Sequence, residues 1–235
     1  MQPYFFPYLG HFALIAAVDT WIVFDVTQYT PKTWMNRNRI LHPKEGWQYV
    51  TAPLANSSIT IKTYEARLVS LADAKTSLRG KLSAFRRQAP FFKQVDALIG
   101  SAFDSTTSDS LCELNVNGLK AVCDYLGVPF AYRICSELNL EYPEHMAPGD
   151  WAPFVCQALG ASEYVNPAGG RDLFNPADFE RIGVALKFAE FEEFSYDPTP
   201  YRYEPHLSVI DVLLWNAPDK VAAALRTQTK LVGAN

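Results

Sequence analysis

The chain has 235 residues, 49% of them hydrophobic, 20% charged and 14% aromatic, with a net charge of −4. That is a globular composition, long enough for one large domain or two small ones, and with no apolar run long enough to suggest a membrane span. Residues 1–110 carry 12 Lys and Arg against 8 Asp and Glu, and residues 111–235 carry 9 against 17; the basic excess of the first half suits phosphates but is too small for a DNA-binding protein.

The opening stretch, MQPYFFPYLGHFALI, places Tyr4, Phe5, Phe6 and Tyr8 between two prolines and a Gly-His pair. GHFALIAAVD follows with helical spacing, and TWIVFDV reads as a strand rich in β-branched and aromatic residues. TQYTPKTWMNRNRIL reads as a polar loop, WQYVTAPL as a second strand and ITIKTYEARL as a third. AKTSLRGKLSAFRRQ and APFFKQVDALIGSAF are helical, broken at Pro90. After a Ser/Thr/Asp-rich stretch from Asp104 to Ser110, the helix LCELNVNGLKAVCDYLG stops at Gly127, followed by the strand VPFAYRICS. The helix DWAPFVCQALG has Asp150 in a capping position. Then come the strand SEYVNP, the helix NPADFERIG, the strand VALKFAEF and two closing helices, SVIDVLLWNAP and DKVAAALRT. This alternation predicts an α/β fold with a mostly parallel sheet flanked by helices and a helical middle segment. The domain expected is one unit over 1–235, with two lobes, 1–104 and 111–235, as the alternative.

The cysteines at 112, 123, 135 and 156 lack CxxC spacing and sit mostly in apolar runs. They read as buried free thiols in a reducing compartment, not as metal ligands. The N-terminus has no basic region or small-residue cleavage site, so the expected location is the cytoplasm.

Four stretches have residues suited to chemistry. Gly10 and His11 open a helix, whose free N–H groups attract phosphate or carboxylate; the plainer reading is a turn and a half-buried histidine. Gln28, Asn36, Arg37, Asn38 and Arg39 follow a strand, where α/β proteins place ligands, and Arg forks suit phosphate or carboxylate; the alternative is a solvated loop. Asn166–Asp172, with Gly169 and Gly170, could wrap an anion in backbone amides, yet lacks the glycine spacing of a nucleotide loop, so a plain turn competes. Ser208 and Asp211, after His206, fit helix capping better than a catalytic set. The helix bearing Arg79, Lys81, Arg86 and Arg87 reads as a solvated face, with a carrier protein or tRNA as the less favoured partner.

Taken in order, MQPYFFPYLGHFALI, VDTWIVFDVTQYTPKTWMNRNRIL, YVNPAGGRDLF and HLSVIDVLLWNAP resemble the WbqC-like proteins nearly end to end. The resemblance implies a place in O-antigen or other surface-polysaccharide synthesis, with transfer of glycine or another acyl group to an amino sugar. On that basis His11, Ser208 and Asp211 are the catalytic candidates. Gln2, Tyr4, Gln28, Asn36, Arg37, Asn38, Arg39, Gly169 and Gly170 are the substrate-binding candidates, with Tyr4 and Phe6 stacking on a sugar or base. The expected substrate is a nucleotide-linked or free amino sugar, and no metal is expected. Relatives commonly carry Tyr at position 11 and a short apolar strand before the Gln-Pro; a missing first strand would leave its neighbour with an unpaired edge. The opening is also similar to the nucleotidylyltransferase superfamily, whose HxGH motif would fall on Tyr8, Leu9, Gly10 and His11, without its first His and with no KMSKS-like segment. That similarity implies ATP at the helix start and an amide ligase working through an acyl-adenylate, with His11 stabilising the α-phosphate. A non-catalytic protein that holds a nucleotide sugar is the further alternative.

Overall fold

The computed structural model describes residues 1–234. Its elements in chain order are α1 (Leu9–Ala16), β1 (Trp21–Val23), β2 (Arg37–Leu41), β3 (Trp47–Thr51), α2 (Leu71–Leu82), α3 (Phe92–Asp104), α4 (Leu111–Leu126), β4 (Tyr132–Ile134), α5 (Trp151–Leu159), β5 (Glu163–Pro167), α6 (Pro176–Glu180), β6 (Ala185–Phe191), α7 (Val209–Trp215), α8 (Pro218–Thr227) and β7 (Thr229–Gly233). The class is α/β, with the strands divided among three small sheets. β1 pairs in parallel with β4, β2 and β3 form an antiparallel hairpin, and β6 lies between parallel β5 and antiparallel β7.

Local chemistry accounts for several helix ends. Ser70 and Ser110 accept the backbone N–H of Asp73 and Glu113 at the starts of α2 and α4, and Asn175 accepts from Ala177 ahead of α6, each satisfying an orphan donor. α4 stops at Gly127, whose φ of 64° is left-handed and inexpensive only without a Cβ. Asp150 precedes α5, but its carboxylate turns back to accept the Ala147 N–H at 2.8 Å and does not cap the helix.

Three stretches differ from the sequence expectation. NRNRI is strand β2, with Asn38 and Ile40 on its inner face and Arg37 and Arg39 on the other. ITIKTYEARL forms isolated bridges and a 3-10 turn at Thr63–Glu65, because it meets Gln28 and Ser110 one residue at a time and never lies along a full strand. Residues 229–233, unassigned above, return along β6 as β7. Met1 runs along the edge of β1: its N–H group donates to Ile22 O at 2.9 Å and its carbonyl accepts Phe24 N–H at 2.8 Å, the slanted pattern of parallel pairing.

The largest apolar cluster runs from Phe5 and Phe6 through α1, α3 and α4 to Leu225, and α1 packs on β5, β6 and α8. The opening turn is threaded into this core. Phe6 is 1% exposed and has φ of 40°, left-handed for a bulky residue. Its carbonyl accepts Asn38 Nδ2–H at 2.9 Å and Ser208 Oγ–H at 2.6 Å, and Asn38 also donates to Phe5 O at 3.1 Å. Asn115 donates to Pro3 O and Met35 O, both at 2.8 Å. Buried carbonyls stripped of water need such donors.

Replacing Asn38 by Leu preserves size but leaves the Phe5 carbonyl without its donor and the Phe6 carbonyl with Ser208 alone, and is expected to cost about 1–3 kcal/mol of unfolding free energy. Urea denaturation of N38L should show a lower midpoint with an unchanged slope; a midpoint equal to that of the unmodified protein would remove the hydrogen bonds from the account of the turn.

Candidate functional site

The predicted residues separate into a buried scaffold and an outer face. Ser208 is fully buried: its hydroxyl donates to Phe6 O, its oxygen accepts Ile210 N–H at 3.3 Å, and its N–H donates to Arg39 O at 2.8 Å. Asp211 is equally buried and joins three segments, accepting Leu41 N–H and Tyr196 O–H, each at 2.7 Å. Burial raises its carboxyl to about 6, against the pull of those two donors. His11 is 2% exposed, with its ring 5.4 Å from Tyr4 and 4.9 Å from Trp21, and its Nε2 has no partner. Burial first, then the nearby Met1 ammonium, lowers it to about 3, so the imidazole is neutral.

Gln2 donates to Thr27 Oγ1 at 3.4 Å, and Gln28 donates to Ile59 O. Asn36 bridges Tyr29 O–H and Ala52 O. Gly170 lies so close to the Asn166 amide that a Cβ there would displace it, and the Tyr8 ring fills the space beside Gly10 that was expected to admit an anion. Phe6 is packed on α4 at Gly118 and has no open face for stacking. Arg37 and Arg39 lie on the outer face of the β2–β3 hairpin, against Tyr49 and against Trp34 and Trp47.

The chemistry-bearing space lies beside this scaffold. A cavity of about 380 Å³ opens where Tyr8, Leu9 and Gly10 begin α1 and where Pro167, Ala168 and Gly169 carry β5 into a 3-10 helix (Ala168–Leu173). Neither Tyr8 nor Pro167 offers a capping side chain. The far wall is the end of β6, with Glu190 and Phe191, and the strap after it, with Glu193, Phe194, Tyr196, Tyr203, Glu204 and His206. Gln2, His11 and Asn36–Arg39 do not line this cavity, whereas Gly10 and Gly169 do.

Glu190 is held by Arg171 at 3.3 Å, and Glu193 accepts Tyr203 O–H at 2.9 Å. Burial, then this glutamate, raises Tyr203 to about 12, keeping the phenol protonated. Tyr196 ties the wall to Asp211; burial first, then that carboxylate, pushes its phenol far upward. Carboxylates among aromatic rings suit a ligand with an amine and an apolar ring face. The strap escaped the sequence reading, although its signal was present: residues 192–207 form a long segment without helical or alternating period, dense in Glu, Tyr and Pro.

A second, wider cavity of about 960 Å³ lies past the carboxyl ends of β1 and β4, beside Lys62, Tyr64, Ser136, Tyr142, His145 and Trp151. There the buried Asp25 carboxylate accepts Ser136 N–H at 2.9 Å and Ser136 O–H at 2.7 Å, joining the two strand ends. All four cysteines are free and buried. Among the described residues, no helix is long and apolar enough to cross a membrane, and no group of three or more His, Cys, Asp or Glu side chains is placed to hold a metal.

The model of the WbqC-like protein family matches residues 2–223 of the chain. The chain is 26% identical over 215 residues to the uncharacterized protein Rv1507c of Mycobacterium tuberculosis, covering 91% of this chain and 90% of that protein. No solved structure matches it.

His11 and Asp211, both buried, predict opposite responses to acid. Asp211, raised from 3.8 to about 6, contributes stability that is complete below about pH 4 and lost as pH rises through 6. His11, lowered from 6.5 to about 3, contributes stability that is complete above pH 6.5 and lost as pH falls toward 3. Thermal unfolding between pH 4 and 7 should therefore show His11→Phe holding its Tm in acid better than the unmodified protein, and Asp211→Asn worse. Parallel pH curves for all three would contradict both assignments.

Proposed function

From the premise that this chain belongs to the WbqC-like protein family, we propose that it is an enzyme of surface-polysaccharide synthesis that acylates or aminoacylates an amino sugar or a related metabolite. The observation that carries this reading is the cavity at the start of α1, where Glu193 and Glu204 face a space walled by Tyr8, Phe191 and Tyr203. A sugar ring packs its apolar face on the aromatics, and its amine lies toward the carboxylates.

In the proposed reaction the amine nitrogen attacks the donor's acyl carbonyl, the donor's leaving group departs, and a glutamate takes the proton that the amine loses. The 3-10 helix start, where Pro167 offers no cap, borders the cavity and would supply N–H groups to the carbonyl oxygen as it gains negative charge. Asp211 and Ser208 act through position: Asp211 holds Tyr196 in the wall, and Ser208 holds the turn that delivers Tyr8. The small volume, about 380 Å³, suits one sugar residue better than an oligosaccharide.

Incubation with nucleotide-linked amino sugars, and with glycine and ATP, aminoacyl-tRNA or a carrier-bound acyl group as donor, is expected to add the acyl mass to the sugar. Glu193→Gln and Glu204→Gln should each slow product formation, by on the order of 10²-fold for whichever acts as base, with Tm unchanged. If no donor yields a product by mass spectrometry, or if the double glutamine variant turns over at the full rate, the proposal fails.

A further inference from the structure

On the β2–β3 hairpin, the period of the strand puts Arg37 and Arg39 on one face, and the register sets Arg39 opposite Tyr49 and Leu41 opposite Trp47. The Arg39 guanidinium carbon is 5.3 Å from the Trp34 ring centroid and 5.0 Å from that of Trp47; Arg37 is 4.4 Å from that of Tyr49. The Trp47 and Tyr49 rings meet edge to face at 5.0 Å. Trp34, Arg39, Trp47, Tyr49 and Arg37 thus form a continuous strip, in which the two indoles are 39% and 41% exposed.

Two features of the strip point to its occupant. Neither arginine has a carboxylate partner among the described residues. Each donates one recorded hydrogen bond, Arg37 to Lys32 O at 2.6 Å and Arg39 to His206 O at 3.4 Å, so most of each donor fork is uncommitted. The strip also adjoins the proposed amino-sugar cavity at one residue, because Arg39 donates to the backbone carbonyl of His206, which lines that cavity. Positive charge lies on the hairpin and negative charge in the cavity, an arrangement that matches a molecule with an anionic and a cationic end.

We infer that the strip binds the nucleoside diphosphate of the activated amino sugar, with the phosphates on Arg39 and Arg37 and the base against the exposed indoles of Trp34 and Trp47. Guanidinium forks match phosphate oxygens, and stacking on an indole accepts a flat base. The inference rests on the amino-sugar reading for its substrate but can be tested separately.

UDP is the probe, with uridine and inorganic pyrophosphate as comparisons, read by quenching of tryptophan emission and by calorimetry on the full chain. UDP should bind and quench more strongly than either comparison. Arg39→Ala should weaken UDP at least tenfold. Arg39→Lys should recover little of that loss, since an ammonium lacks the fork, and the Trp34→Ala, Trp47→Ala double variant should lose the quench. Unchanged thermal unfolding of these variants ties any loss to the strip.

If UDP fails to bind while the protein acylates an amino sugar that carries no nucleotide, the inference falls and the enzymatic reading stands. If UDP binds and responds to Arg39 but no amino sugar is acylated, the nucleotide strip stands and the enzymatic reading falls. Tighter binding of single-stranded RNA than of UDP, competing at the same residues, would overturn the inference in favour of a nucleic-acid surface.

Discussion

The architecture depends on satisfying the backbone of one buried turn. Prolines at positions 3 and 7 remove two donors from the opening stretch, and the aromatic side chains of Phe5 and Phe6 draw it into the core. The carbonyls of Pro3, Phe5 and Phe6 then require donors away from water. They receive them from Asn115 on α4, Asn38 on β2 and Ser208 before α7. Each donor comes from a different part of the chain, so the turn cannot be satisfied until β2, α4 and α7 are in place around it. The left-handed φ at Phe6 is tolerable in that setting because the surrounding bonds over-determine it.

This constraint also places the proposed site. Tyr8, the next residue after the turn, pairs with Ser208 and begins both α1 and the cavity wall. Asp211, one helical turn beyond Ser208, fixes β2 through Leu41 N–H and the cavity wall through Tyr196. Asn38 secures the turn from the inner face of β2, while Arg37 and Arg39 present the opposite face. The same five-residue strand thus anchors the core and displays the arginines. A charged residue there is free to meet a ligand because its neighbours already satisfy the buried carbonyls.

Several features were legible locally. Ser208 reads as a cap and does cap α7, and Gly127 marks a helix end, because capping involves residues within a few positions of one another. The aromatic and β-branched run at 21–23 reads correctly as a strand. Arg37 to Arg39 drew notice as a polar cluster but was assigned to a loop, since alternating Asn and Arg supply no apolar face. Its inner face is stabilised by hydrogen bonds to Phe5 and Phe6, and period-based reading looks for apolar burial. ITIKTYEARL misled in the other direction: it alternates well, but alternation supplies only one face, and a strand also needs an aligned partner. Glu193, Tyr203 and Glu204 stood in a segment with no period, where a residue's direction depends on what packs beneath it.

Residue order alone established the helical segments, a few of their ends, the α/β class and the resemblance of its motifs to one family. Those properties depend on short-range chemistry and on residue order. Only the tertiary structure decided which polar residues serve the fold and which face a cavity. Ser208 and Phe6 are 202 positions apart, and Asp211 and Leu41 are 170, so neither pairing leaves a local pattern. A serine, asparagine or aspartate has the same hydrogen-bonding groups whether it holds a buried carbonyl or a substrate. What distinguishes the two is whether the space beside it contains backbone or an opening, and that is settled when distant segments pack.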